Sequence, residues 1–172
     1  MGQVKQVRAK SPSAQLAGFL AKFTPEVAAL ARTSLAMMRK RLPGAIELVY
    51  DNYNALAIGF APTERASDAV FSIAVFPRRP ILCFLQSGAQ LRDPDGLLEG
   101  SGTRVRHIPL ASPAVLDTPA VRALMNEALE RADVPFDRRA KRRIVIKSIS
   151  KKQRPRVPRA SPPRARRQSG GL

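Results

Sequence analysis

Leu16, Phe19, Leu20 and Phe23 recur at i, i+3, i+4 and i+7, the spacing that lines one stripe of a helix, so a short helix is expected after Ser13. Thr24 and Pro25 mark a fresh start, because a threonine hydroxyl can accept a free amide hydrogen and proline is tolerated in a first helical turn. Val27, Leu30, Ala31, Leu35, Met38 and Leu42 continue a helical stripe, Arg32, Arg39 and Lys40 fall elsewhere, and Pro43-Gly44 ends the run. From Glu47 to Leu110 the pattern changes to short β-rich runs broken by Pro, Gly and Asp. It predicts strands over Ile46 to Tyr50, Ala55 to Phe60, Ala69 to Phe76, Ile81 to Gln86 and Val105 to Leu110, with antiparallel neighbours because the intervals are short. Pro77-Arg78-Arg79-Pro80 fits a hairpin connection. The run Ile81 to Leu85 is apolar on both faces, which predicts the middle of the sheet.

A last helix is expected from Asp117-Thr118-Pro119 to about Ala132, on the stripe Val121, Leu124, Ala128 and Leu129. In Arg143 to Ser150, Ile144 and Ile146 share one face while Val145, Lys147 and Ile149 share the other, the signature of an added strand whose lysine discourages edge pairing. Beyond it nothing is available to bury. The pattern therefore reads as an α+β domain, a mostly antiparallel β-sheet with helices packed against it, followed by a disordered basic tail. Its divisions are a basic flexible N-terminus over 1–12, the domain over 13–136, a basic extension over 137–150 and an Arg/Pro-rich tail over 151–172.

Charge sharpens that division. The chain has 172 residues with 30 Lys or Arg against 13 Asp or Glu. Residues 13–136 are nearly balanced, with 13 basic and 12 acidic, whereas 137–172 hold 14 basic residues against Asp137 alone. Clustered like charges resist compaction, and a segment this charged and Pro-rich does not recover by burial an ordering cost of about 1–2 kcal/mol per residue. Lys151, Lys152, Arg154, Arg156, Arg159, Arg164, Arg166 and Arg167 are accordingly expected to bind nucleic acid without sequence preference, by displacing counterions. The plainer alternative is a solubilising tail or attachment to acidic surfaces. No aromatic residue follows Phe136, which speaks against stacking on single-stranded bases. No apolar stretch is long enough to span a bilayer, the start lacks a secretory signal, and Gln6 stands where myristoylation wants Ser or Thr, so the expected location is cytoplasmic with no integral membrane association. A single cysteine, Cys83, excludes an intrachain disulfide and a cysteine-built zinc site.

Three groups of residues in this order resemble the YdhG-like domain family, a bacterial family of unknown function with some members described as frataxin-like iron chaperones. They are Phe19-Leu20-Ala21-Lys22-Phe23, Leu42-Pro43-Gly44-Ala45 with Glu47, and Tyr50-Asp51-Asn52-Tyr53-Asn54-Ala55-Leu56, joined further on by Gly100-Ser101-Gly102 and Val105-Arg106-His107-Ile108. The resemblance covers about residues 15–133, and Arg143 to Pro155 is similar to a basic extension carried by one subgroup. It implies an α+β fold and supplies no established reaction. Thr103 followed by Arg104 stands where members often carry a lysine after Gly-x-Gly.

Chemistry concentrates at two places. Around Gly100 and Gly102, backbone amides could approach an anion, with Ser101, Arg104, Arg106 and His107 holding it; the bland alternative is a glycine turn entering a strand. Tyr50, Tyr53 and Asn54, with Glu47 and Asp51, form a polar cluster that suits a small ligand, or simply a capped turn, and a pocket near this turn is expected to face the Gly100 loop. His107 is the only histidine. A triad assembled from it with Asp51 and Ser101 or Ser72 lacks a nucleophile elbow, so no catalytic residues and no enzyme activity are expected. Asp93, Asp95 and Glu99 are the densest acids but read as a turn, which predicts no metal site and no cofactor. Cys83 reads as a small buried hydrophobe and Met37-Met38 as helix residues. The leading expectation is a noncatalytic domain binding a small anionic ligand or partner, with nucleic-acid contacts through the tail; the alternative, implied by the resemblance, is an iron chaperone. No motif fixes an oligomeric state.

Overall fold

Ser11 accepts the amide hydrogen of Ala14 and Pro12 occupies the first helical position, so the chain enters helix α1 (Pro12–Leu20) two residues earlier than the apolar stripe suggests. This is a computed structural model, and it describes residues 8–160. The expected flexible start thus shrinks at its inner edge, and residues 1–7 lie outside the described part. Thr24 caps α2 (Pro25–Arg41) by accepting from the Val27 amide, as its sequence predicts. Phe23 falls beyond α1 yet is buried, because the turn Ala21–Thr24 folds it back onto the core.

Six strands follow in one sheet: β1 (Ile46–Asp51), β2 (Leu56–Ala61), β3 (Phe71–Val75), β4 (Pro80–Phe84), β5 (Arg106–Pro109) and, after helix α3 (Pro119–Glu130), β6 (Arg143–Ile149). Their order is β5-β4-β3-β2-β1-β6. All neighbours are antiparallel except β6, which runs parallel to β1 and is the strand expected in the basic extension. The sheet is therefore mostly antiparallel with helices packed against it. β4 is next to the outermost strand rather than central. Its Ile81 and Leu85 remain half-exposed, and the late arrival of β6 on the far side of β1 moves the centre to β3 and β2.

One apolar core lies between the three helices and one sheet face, where Leu20, Ala31, Leu35, Met38, Val121 and Leu124 meet Val49, Ile58, Phe60, Phe71, Ile73 and Phe84. Phe71 and Phe84 pack edge to face with ring centres 5.6 Å apart. The opposite face carries a smaller cluster of Ile46, Leu48, Ala61 and Ala69, with Tyr50 and Val145 against it. Ile144 and Ile146 pack on the helix-side core and Val145 on the other, as alternation requires. The register then skips Lys147, since Val49 pairs with Ile146 but Tyr50 pairs with Ser148. This bulge breaks the alternation expected for Ile149.

Order does not end near Ser150. The Ser150 amide donates to the Asp51 carbonyl and the Arg154 amide to the Tyr53 carbonyl, so residues 150–154 run along the β1–β2 turn, and Arg156 is buried. The tail expected from 151 onward is thus corrected: 151–160 form a strap on the domain, and 161–172 lie outside the described residues.

Gly44 turns the chain from α2 into β1 at φ +84°, and a Cβ there would run into the backbone carbonyls of Asp137 and Ala140. Gly44→Ala combines left-handed strain with a backbone collision, and should destabilise the protein by at least about 1–3 kcal/mol in urea unfolding. An unchanged midpoint would contradict the packing of the 131–142 connection against this turn.

Candidate anion-binding groove

Strand alternation on β1 turns Glu47, Val49 and Asp51 to the helix face, so two carboxylates enter a core with no water to solvate them. Both side chains are essentially inaccessible. Glu47 is clamped by Arg39 of α2, through Nε (3.0 Å) and Nη2 (2.7 Å), and by Arg142 Nη1 (2.9 Å). Asp51 is clamped by Lys22 Nζ (3.0 Å) and Arg156 Nη2 (2.8 Å), while Gln153 Nε2 donates to its carbonyl (3.2 Å) and Gln153 Oε1 accepts from Lys22 (3.1 Å). Each acid takes one cation from the N-terminal helical region and one from the basic C-terminal segment. Arg156 also donates to the Asn52 carbonyl and lies 5.6 Å from the Phe23 ring centre. Burial pushes the Asp51 carboxyl up, but hydrogen bonds from Gln153, Lys22 and Arg156 outweigh it and hold the group below its ordinary value.

Anchoring the strap makes a groove of about 650 Å³ beside the β3–β4 turn. Its apolar lining is Phe76, Pro77, Pro155, Val157 and Pro158; its polar lining is Asn54, Arg78, Arg154 and Arg159, with no acid. Arg79 lies on the adjoining depression, which shares Pro77, Arg78 and Pro158. Among the described residues no carboxylate pairs with Arg78, Arg79, Arg154 or Arg159. Low-dielectric walls and unpaired cations of one sign concentrate field in a cleft and draw anions.

The sequence-predicted residues divide between distant places. Tyr53 and Asn54 are exposed on the β1–β2 turn, and Asn54 lines the groove. Tyr50 points to the other sheet face, its hydroxyl buried without a partner. Ser101, Arg104, Arg106 and His107 belong to the β5 edge, four strand spacings away, or roughly 19 Å across the sheet. Arg106 opens β5 beside Phe84, at the end of the sheet opposite the Asp51–Leu56 turn. The pocket does not face the Gly100 loop. There, Arg104 donates to the Gln86 carbonyl, Arg106 to the carbonyls of Gly102 and Val105, and His107 Nε2 lies 3.4 Å from Glu99. These cations close their own loop, which matches the glycine-turn reading.

The paper triad is not assembled, because Asp51 is sealed under the helices while His107 meets Glu99 on the far strand. Ser72, Cys83 and His107 are register partners across β3, β4 and β5. Burial pushes the Cys83 thiol up, against a hydrogen bond with Ser72 that lowers it. Asp93 accepts the amides of Leu97 and Leu98, as a turn residue does.

Sequence reasoning missed Arg156, Gln153, Lys22, Arg39 and Arg142 as partners of buried acids, and Arg78 as a groove residue. The signal for the four cations among them was the alternation itself: acids that share a strand face with Val49 demand cations from elsewhere.

No family model, curated protein or solved structure matches the chain. The expected resemblance to YdhG-like domains therefore has no support from these comparisons.

Breaking a buried pair leaves a charge uncompensated, so Arg156→Ala should cost about 3–5 kcal/mol in urea unfolding at neutral pH. Because the Asp51 value is lowered by folding, the tie stabilises above the ordinary carboxylate value of 3.8 and fades as pH falls through the lower folded value. The difference between wild type and Arg156→Ala should therefore be constant near neutrality and shrink in acid. A pH-independent difference would contradict the ionised pair.

Proposed function

We propose that this chain is a noncatalytic α+β protein, of YdhG-like type, that binds phosphate-bearing ligands and contacts nucleic acid without sequence preference. The observation that carries this reading is the convergence of Arg78, Arg154 and Arg159 on one groove with no acidic residue in its lining. The groove is favoured over the Gly100 loop as the anion site in this reading because the arginines of that loop are engaged by the loop itself and by Gln86. Lys151, Lys152 and the further cations Arg164, Arg166 and Arg167, which lie beyond the described residues, extend the same charge along a polymer. Arg156 is removed from the nucleic-acid set, since its guanidinium is held by Asp51. A nucleic-acid partner and an unpaired cysteine suit the cytoplasm. Among the described residues no three His, Cys, Asp or Glu side chains form a metal-binding group, and no helix is long and apolar enough to cross a membrane; no observation favours the iron-chaperone alternative.

Titrating a labelled oligonucleotide at several salt concentrations tests the proposal. Arg78 and the seven remaining tail cations set a limiting slope of log affinity against log salt of roughly −0.9 × 8, or about −7, on duplex. Neutralising Arg78, Arg154 and Arg159 to Gln should weaken binding, with the slope falling by up to roughly 0.9 for each arginine that contacts a phosphate. Affinity and slope unchanged in the triple variant would remove the groove from the interface.

A further inference from the structure

Tyr53 stands at the crest of the β1–β2 turn, 48% exposed, although it is one of only two tyrosines in a chain without tryptophan. Its carbonyl accepts the Arg154 amide at 2.9 Å, which sets the strap alongside it, and the Arg154 guanidinium lies 5.5 Å from the centre of its ring. The next residue, Asn54, lines the groove, and Val157, another exposed large apolar side chain, lines it too. The C-terminal cations carry no aromatic residue in sequence, but the fold supplies one from about a hundred positions upstream. Exposed apolar surface rimmed by unpaired arginines is what an unstacked base and its phosphates require. Aromatic faces and guanidinium planes hold bases, and cations hold the backbone.

From this juxtaposition we infer that the groove selects single-stranded over duplex nucleic acid, an unpaired base stacking on Tyr53 and Arg154 while Arg78 and Arg159 hold its flanking phosphates. The inference rests on the nucleic-acid reading above and adds the strand state of the ligand. A duplex keeps its base faces stacked inside the helix, so it can engage the cations but not the ring. An acidic polypeptide would meet the same arginines without using the ring as a stacking platform.

The experiment measures anisotropy of a short labelled oligothymidylate and of a blunt duplex of equal length, against the full chain, with polyglutamate as competitor. Wild type should prefer the single strand. Tyr53→Ala should lower single-strand affinity by about 5- to 150-fold, the range for losing one stacked base, and change duplex affinity less than about two-fold. Tyr53→Phe should retain the preference. In a Tyr50→Phe background, in which Tyr53 is the sole tyrosine, its emission should be quenched by the single strand and not by the duplex. Equal affinities with no effect of Tyr53→Ala would overturn the inference while leaving the nucleic-acid reading standing. So would polyglutamate displacing the oligothymidylate as well as unlabelled oligothymidylate does. Failure of wild type to bind either nucleic acid would overturn both. Because the Tyr53 side chain is exposed, an unchanged urea midpoint in Tyr53→Ala separates these outcomes from unfolding.

Discussion

Two carboxylates four residues apart on an interior strand, both facing the core, impose a requirement that the rest of the chain must meet. Glu47 and Asp51 cannot remain ionised among Val49, Leu35 and Phe23 without cations brought to them, and the cost of burying an unpaired charge exceeds most single contributions to stability. The chain meets the requirement twice in the same way. One cation comes from the helical region that precedes the sheet, Arg39 or Lys22, and one from the basic segment that closes the fold, Arg142 or Arg156. β1 is thereby tied to both ends of the described chain. The parallel pairing of β6 with β1 follows the same path, since Arg142 sits immediately before that strand and Arg156 seven residues after it.

This arrangement changes what the C-terminal charge is for. Arg142, Arg143 and Arg156 form ion pairs, with Glu47, Glu64 and Asp51 respectively, and Lys147 donates to the Glu64 carbonyl. Lys151, Lys152, Arg154 and Arg159 are displayed from the docked backbone of the strap rather than from a free chain. Prolines 155 and 158 reduce the conformational freedom lost when the strap docks, so one buried arginine and a few backbone hydrogen bonds can hold a segment that buries little apolar surface. A groove with a fixed cationic rim results, and its geometry depends on a contact made on the inner side of the same strap.

The strands and helices were legible because each carries its own period. Alternation located β1 to β3 and β5 within a residue or two, and even the late strand β6 was announced by Ile144 and Ile146. The strap was not legible, because Arg156 reads in sequence like Arg154 or Arg159. What distinguishes it is an acid 105 positions earlier, and only the side toward which Asp51 points makes that acid need a partner. The site was half legible. Of the clustered polar residues Tyr53 and Asn54, Asn54 does line a groove and Tyr53 precedes it on the same turn, whereas the Gly100 cations belong to β5, four strand positions from β1 and at the opposite end of the sheet. Local motifs indicate which residues can hold an anion; only pairing order indicates which of them meet.

The buried Asp51 carboxylate holds the strap on the domain in the unliganded molecule. Hydrogen exchange at the Ser150 and Arg154 amides, compared between wild type and Arg156→Met, reads this directly, with the β1 amides as internal reference. The Arg154 amide in the strap and the Ser150 amide at its root should both be protected in wild type and exchange faster in the variant while β1 stays protected. Unprotected strap amides in wild type, or protection indifferent to the loss of the guanidinium, would contradict it.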